Sequence, residues 1–358
     1  MDFSGQLLSW YKANSRDLPW KHTADPYKIW LSEIILQQTR VEQGIPYYMR
    51  FRERFPTVEA LAAAHIDEVL RLWQGLGYYS RARNLHLTAQ QVVEQYRGIF
   101  PTTNQGLLAL KGIGPYTAAA IASFAWNEPI PALDGNGYRI LSRVFGIEAP
   151  PDTQRGKKQF TEVAAELLPP KHAGAFNQAL MDFGSMVCTP RPVCDRCPLQ
   201  SGCYAFARRA IELFPAKRRR ITVRARYFHY LYIRRGAFTF IRKRTGKDIW
   251  HSLYEFPLIE TDRAMSAKKL FATPEWKALF AQHPEHINRI SSALKHQLSH
   301  QTIHAVFYTI DITETPEWIA NEYLQIRQDD LDEYSMPRLL TLFLENKPTL
   351  SKSCSDDT

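Results

Sequence analysis

The chain of 358 residues carries 45 Lys and Arg against 36 Asp and Glu, a formal charge of +9 and a sequence pI near 9.2. With 45% hydrophobic and 23% charged residues and a mean hydropathy of −0.34, it is neither a disordered polyelectrolyte nor a membrane-spanning chain, and its length suits about two domains. Its apolar stretches, such as 29–36 around Glu33, fall short of the roughly 18 residues that span a bilayer, and the opening MDFSGQLLSW lacks the basic start and apolar core of a signal peptide. The expected protein is soluble, globular and cytoplasmic.

Apolar residues recur at helical spacing through 58–72, 85–96 and 117–125, and few segments alternate as strands do, which predicts an all-α region over residues 1–213. Early in it, Glu33 sits among the apolar residues of 29–36. Burial there disfavours the carboxylate and lifts its pKa towards the range of a general acid; the competing reading is a buried glutamate satisfied by Ser32 or by an arginine. Over about 107–124, Leu107–Leu110 supplies an apolar face, Lys111-Gly112-Ile113-Gly114 a tight turn, and Pro115 the first position of a new helix. The amides around Gly112 and Gly114 then form an anion site suited to a phosphate. Asp134, ahead of Gly135-Asn136-Gly137, either presents a carboxylate from a flexible turn or caps a helix over 138–145.

Cys188, Cys194, Cys197 and Cys203 follow the pattern C-x5-C-x2-C-x5-C. In a reducing compartment, thiols this closely spaced read as metal ligands, and their compact, uneven gaps favour an Fe–S cluster while leaving a zinc site open. Either metal is expected to hold the fold together. From Leu213 to Lys247 there are twelve basic residues and no acidic one, which marks 214–226 as a basic linker. Beyond it, alternation at Phe228, Tyr230 and Tyr232, a turn at Arg235-Gly236 and renewed alternation at Phe238 and Phe240 predict a hairpin. With a further strand over 303–310 and a closing helix over 336–344, residues 227–346 are expected to form an α+β domain. Residues 347–358, including Cys354, read as a flexible tail.

The segments WLSEIILQQTRV (Trp30–Val41), GLGYYSRARNL (Gly75–Leu85), LKGIGPYTAAAI (Leu110–Ile121), LDGN (Leu133–Asn136) and the cysteine loop occur in the order found in MutY-type adenine DNA glycosylases, and the chain resembles that family from Leu18 to Cys203. Beyond the linker, WHSLYEFP (Trp250–Pro257) and KHQLSH (Lys295–His300) resemble its Nudix-related recognition domain. The resemblance implies an all-α helix-hairpin-helix glycosylase domain with a [4Fe-4S] loop, followed by a C-terminal α+β Nudix-like domain. It implies a monofunctional enzyme of base excision repair that hydrolyses the N-glycosidic bond of adenine mispaired with 8-oxoguanine or guanine. The partner would be double-stranded DNA holding that mispair, with no membrane involved, and the protein a nucleoid-associated monomer. Two rivals are an endonuclease III-like bifunctional glycosylase/lyase and a non-catalytic Fe–S sensor of DNA damage.

The resemblance also implies roles for particular residues. Glu33 would protonate the adenine and later activate water, Asp134 would stabilise the sugar cation, and Asn136 would position the site, in the two-carboxylate manner of glycoside hydrolysis. Tyr116 stands where endonuclease III-type enzymes carry the lysine that forms a Schiff base, and a phenol forms no imine; Tyr138 replaces a second lysine of some members. Gln38 resembles the intercalating amide and Tyr78 the aromatic wedge beside 8-oxoguanine, while Gly112 and Gly114 would face the DNA backbone. Arg16, Trp20, Leu36 and Gln178 are candidates for the adenine pocket. Ser299 would bond to 8-oxoguanine from His296-Gln297-Leu298-Ser299-His300, in which Leu298 replaces a phenylalanine of the family. No R-E-x-x-E-E run of a Nudix hydrolase is present, so the second domain is expected to recognise and not to hydrolyse. The first cysteine gap is five residues, where the family usually has six.

Overall fold

The computed structural model describes residues 2–216, 223–246, 248–280, 286–298 and 300–346. Ser299, the basic run 217–220 and the tail from 347 lie outside these. The chain divides into two compact units, Met1–Ala64 with Arg81–Arg220 and His65–Ser80 with Ile221–Thr358.

The α-helices of residues 2–216 in chain order are α1 (Phe3–Asn14), α2 (Pro26–Leu36), α3 (Val41–Arg54), α4 (Val58–Ala63), α5 (Ile66–Trp73), α6 (Ser80–Tyr96), α7 (Asn104–Leu108), α8 (Pro115–Trp126), α9 (Gly135–Phe145), α10 (Gln154–Leu167), α11 (Ala173–Met186) and α12 (Tyr204–Ala207). Asp25 starts α2 by accepting from the Tyr27 amide at 2.9 Å, with Pro26 pre-set at the first helical position. Residues Ile29 to Ile35 of α2 are all buried, as in a helix enclosed on every side. A core of the first unit gathers Leu7 of α1, Ile140 and Leu141 of α9, Phe160 of α10, and Phe176, Leu180 and Phe183 of α11.

The apolar pattern over 58–72 is two helices, not one. Between α4 and α5 the chain extends at Ala64 and His65, where the His65 ring accepts from the Asp67 amide and starts the second helix. The sequence boundary at residue 213 keeps 65–80 with the helices, whereas in the structure this segment groups with the sheet. Within that second unit, Lys243 Nζ pairs with Asp67 at 2.5 Å, and the hydroxyls of Tyr254 and Tyr79 donate to Asp67 and to the Met336 carbonyl, each at 3.4 Å.

Strands β1 (Arg224–Arg235), β2 (Phe238–Lys243), β3 (Tyr254–Glu255), β4 (Leu258–Thr261), β5 (His286–Ile290), β6 (Leu294–Gln297), β7 (Gln301–Asp311) and β8 (Leu324–Arg327) form one mixed sheet of central order β3-β2-β1-β7-β5. β1 runs parallel to β7 from Arg224 opposite Gln301 to Arg234 opposite Asp311. It turns into β2 through Gly236 and Ala237, with Gly236 at φ +58, one residue later than the sequence turn. The closing helix runs Arg338–Glu345. Among the described residues no helix is long and apolar enough to cross a membrane.

Candidate active site

A cleft of about 750 Å³ opens in the helical unit between α2, the segment 16–23, the turn entering α8, the turn entering α9, and α11. It brings together Glu33, Tyr116, Asp134, Asn136, Gln38, Gly112, Gly114, Arg16, Trp20, Leu36 and Gln178, residues far apart in sequence.

Glu33 projects from the enclosed α2 and is 7% exposed. The Tyr116 hydroxyl donates to its Oε2 at 2.8 Å, and no cation pairs with it among the described residues. Burial pushes the carboxyl up to about 7; the Tyr116 hydrogen bond opposes this and the nearby Asp134 charge adds to it. Ser32 does not satisfy Glu33, because its hydroxyl donates to the Ile29 carbonyl at 2.7 Å. Tyr116 itself is held well above the ordinary phenol range by burial and then by Glu33 and Asp134, so it remains a neutral donor.

Asp134 is both things that its sequence context offered. Its Oδ1 caps α9 by accepting from the amides of Asn136 and Gly137, each at 2.9 Å, while Asn136 Nδ2 donates to Oδ2 at 2.7 Å. Three donors hold the carboxylate at the cleft wall. Asn136 is fixed in turn by Arg139, whose Nη2 donates to Asn136 Oδ1 at 2.6 Å and to the Gly184 carbonyl at 2.7 Å, and whose Nε donates to the Cys188 carbonyl at 2.8 Å. A Cβ at Gly184 would lie 2.4 Å from that of Asn136, so α11 approaches α9 this closely only because residue 184 is glycine.

α2 ends at Leu36, and Gln38 takes φ +56, a left-handed conformation that costs a non-glycine residue about 1 kcal/mol. The guanidinium of Arg81, itself 8% exposed, compensates: it donates to the carbonyls of Ile34, Ile35 and Gln37 and to the Thr39 hydroxyl, holding the turn that carries Gln38 into the cleft. The hairpin turn has Gly112 at φ +78 and Gly114 capping α8.

On the opposite wall, fully buried Asp182 of α11 accepts from the Arg16 backbone amide at 3.0 Å and from its guanidinium at 2.8 to 2.9 Å, and pairs with Lys21. This fixes the segment 16–21 that carries Arg16 and Trp20. Asp182, Lys21, Arg139 and Arg81 were not singled out from the sequence. Asp182 bore the signal that found Glu33, an acid inside an apolar helical run, while most of the arginines' partners are backbone carbonyls, which no side-chain pattern reveals.

The four cysteines line a second, apolar pocket with Arg143, Val144 and Phe183. Arg143, 3% exposed, donates to the Cys188 sulfur at 3.6 Å and to the carbonyls of Thr189 and Pro190, and the Cys203 thiol donates to the Arg143 carbonyl at 3.4 Å. Among the described residues no group of three or more His, Cys, Asp or Glu side chains is gathered as for a single metal ion. Tyr78 falls in the second unit, where it is 46% exposed at φ +48. Ser299 lies outside the described residues, but its neighbour His296 packs on Trp250 with ring centroids 5.9 Å apart.

Residues 31–166 match the HhH-GPD superfamily of base excision DNA repair proteins, and residues 229–346 match the NUDIX domain. The chain is 35% identical over 314 residues to the adenine DNA glycosylase of Buchnera aphidicola subsp. Schizaphis graminum, covering 87% of this chain and 88% of that protein. It is 44% identical over 216 residues to the adenine DNA glycosylase of Homo sapiens, covering 58% of this chain and 40% of that one. Among solved structures, a thermostable thymine-DNA glycosylase superimposes with a TM-score of 0.54 at 30% identity, over 57% of this chain and 95% of its own. A trapped endonuclease III–DNA covalent intermediate superimposes at 0.51 and 20% identity, over 57% and 94%, a likeness of fold alone.

Proposed function

Because the chain belongs to the adenine DNA glycosylases of the HhH-GPD superfamily and hydrolyses N-glycosyl bonds in base excision repair, we propose that it acts without strand cleavage on adenine opposite 8-oxoguanine or guanine, with Glu33 and Asp134 carrying the chemistry. The observation that bears most weight is a buried carboxyl with a phenol and no cation for partner, in a cleft whose other wall presents an oriented carboxylate.

Glu33, whose carboxyl is pushed up to about 7 by burial and so keeps its proton mainly below that pH, donates the proton to a ring nitrogen of the extruded adenine. The C1′–N9 bond then breaks with its electron pair leaving on the base. Positive charge develops on the sugar, and the Asp134 carboxylate, fixed in advance by three donors, stabilises it. The Glu33 carboxylate left behind takes a proton from the water that attacks C1′. Tyr116 supplies a hydrogen bond and no amine. Lys21 also lines the cleft but is tied to Asp182, which supports base release without imine formation.

Gln38 enters the stack when the base leaves it, Gly112 and Gly114 present amides to a phosphate, and Tyr78 and Ser299 contact the 8-oxoguanine strand. In the cysteine pocket, four soft sulfur donors around an apolar space, with a buried guanidinium on one sulfur, fit a [4Fe-4S] cluster held by Cys188, Cys194, Cys197 and Cys203. Bound, such a cluster supplies cross-linking of the loop. We take the protein to act as a monomer at the nucleoid.

Single-turnover assay on duplexes with A opposite 8-oxoguanine, guanine or thymine tests this. Adenine release from the first two, without strand nicking until the abasic product is heated in base, is expected. Nicking without that treatment would restore the lyase reading, and no release would leave a sensor. Ser299→Ala is expected to narrow the preference for 8-oxoguanine over guanine; an unchanged preference would remove Ser299 from recognition.

A further inference from the structure

Gln178 of α11 lines the cleft, and together with Phe124 it also lines a separate open groove of about 530 Å³. Tyr11 of α1 lines that groove and not the cleft. Its hydroxyl lies 2.6 Å from Gln178 Oε1. Such a separation belongs to O–H···O bonds, which centre near about 2.7–2.8 Å, and is short for N–H···O bonds, which centre near about 2.9–3.0 Å. Turned the other way, the amide would place its NH₂ against the phenol and deprive the phenol hydrogen of this acceptor. The phenol stays protonated at neutral pH, since burial and then the Asp182 charge push it up to about 12. No other hydrogen bond orients the Gln178 side chain among the described residues.

We propose that Tyr11 is a positioning residue for base reading: by donating to Gln178 Oε1 it turns the amide NH₂ into the cleft, so that the site reads a ring-nitrogen acceptor of the purine and not its exocyclic amino donor. The inference rests on the cleft being the adenine site. Without the Tyr11 hydroxyl, water from the groove takes its place at Oε1, the amide rotates, and an acceptor faces the base in part of the molecules.

Adenine release is followed under single turnover for Tyr11→Phe, Gln178→Ala and the double variant, alongside affinity for a duplex carrying a baseless tetrahydrofuran site. Tyr11→Phe should slow release about tenfold, as for one lost hydrogen bond. Gln178→Ala should slow it at least as much, and the double variant should match Gln178→Ala within about twofold. Affinity for the baseless duplex should stay at the wild-type value, because there is no base to read. Losses that multiply in the double variant, a wild-type rate in Tyr11→Phe, or a parallel loss of affinity for the baseless duplex would each overturn the proposal. Gln178→Glu, which keeps an acceptor for Tyr11 and puts an acceptor in the cleft, should be at least as slow as Gln178→Ala; a wild-type rate would also overturn it. Wild-type protein that released no adenine would sink the parent reading instead.

Discussion

Each unit buries a glutamate, and the two are treated in opposite ways. In the sheet unit Glu255 is 2% exposed and meets Arg244, Arg242 at 3.5 Å and the Tyr230 hydroxyl at 3.4 Å. Burial still lifts its pKa, but the two arginines pull it back. In the helical unit Glu33 is nearly as buried, yet its partners are a neutral phenol and a neighbouring negative charge. Asp182, a third buried acid and one that lines the same cleft as Glu33, is again paired, with Arg16 and Lys21. A buried acid facing cations ties chain segments together, whereas one denied a cation keeps its proton near neutrality and can give it away. Among the described residues the lack of a counter-charge, more than depth of burial, sets Glu33 apart from Glu255 and Asp182.

The strongest test of that contrast is Glu33→Gln, which should slow adenine release by about 10²–10⁴-fold while leaving the fold intact or firmer. The stability sign follows from linkage. Native Glu33 holds its proton up to about pH 7, above the unfolded carboxyl, so native stability falls as pH rises through that interval. Gln removes this loss and still accepts from Tyr116, so the Tm at pH 8 should equal or exceed that of the wild type. A lower Tm would mean that Glu33 is structural after all.

Asp134→Asn comes next. It removes the charge that we place opposite the sugar cation and should slow release by about 10²–10³-fold; asparagine still caps α9 through Oδ1 but turns its NH₂ towards Asn136 Nδ2, so denaturant melts should show a loss of only about 1–2 kcal/mol. Glu255→Gln should invert the pattern. Leaving Arg244 and Arg242 beside a neutral amide should cost about 3 kcal/mol in urea unfolding, and an undisturbed midpoint would erase the distinction between the two glutamates. The smallest effect is a pH profile. Single-turnover release should be level below about pH 7 and fall about tenfold per pH unit above it, because the active form is the protonated acid. Tyr116→Phe, by removing the bond that lowers this pKa, should move the descending limb to higher pH; a limb that stayed in place would detach it from Glu33.

Much of this was legible in the chain. Glu33 in an apolar run, glycines 112 and 114 ahead of Pro115, and the closely spaced cysteines are local patterns, and local patterns are what periodicity and spacing report. The cap role of Asp134 was equally visible, though not that cap and cleft roles coexist. Less legible was the continuous pattern over 58–72, where apolar spacing carries through the break at Ala64 and His65 because both helices bury the same kind of face. The support of Gln38 by Arg81 was hidden, since its main partners are backbone carbonyls 44 to 47 residues away.

The amino-acid order alone marked segments such as 85–96 and 117–125 as helical and 228–240 as a hairpin, placed Glu33 among apolar neighbours, and set which thiols lie close enough along the chain to share one pocket. These follow from interactions within a few residues. Only the tertiary structure decided that Asp182 and Glu255 receive cations while Glu33, among the described residues, does not, that Arg139 joins Asn136 to the cysteine loop, and that Tyr11 meets Gln178 167 residues away. Desolvation and ion pairing depend on what lies within a few ångströms in space, and that neighbourhood exists only after the helices have packed.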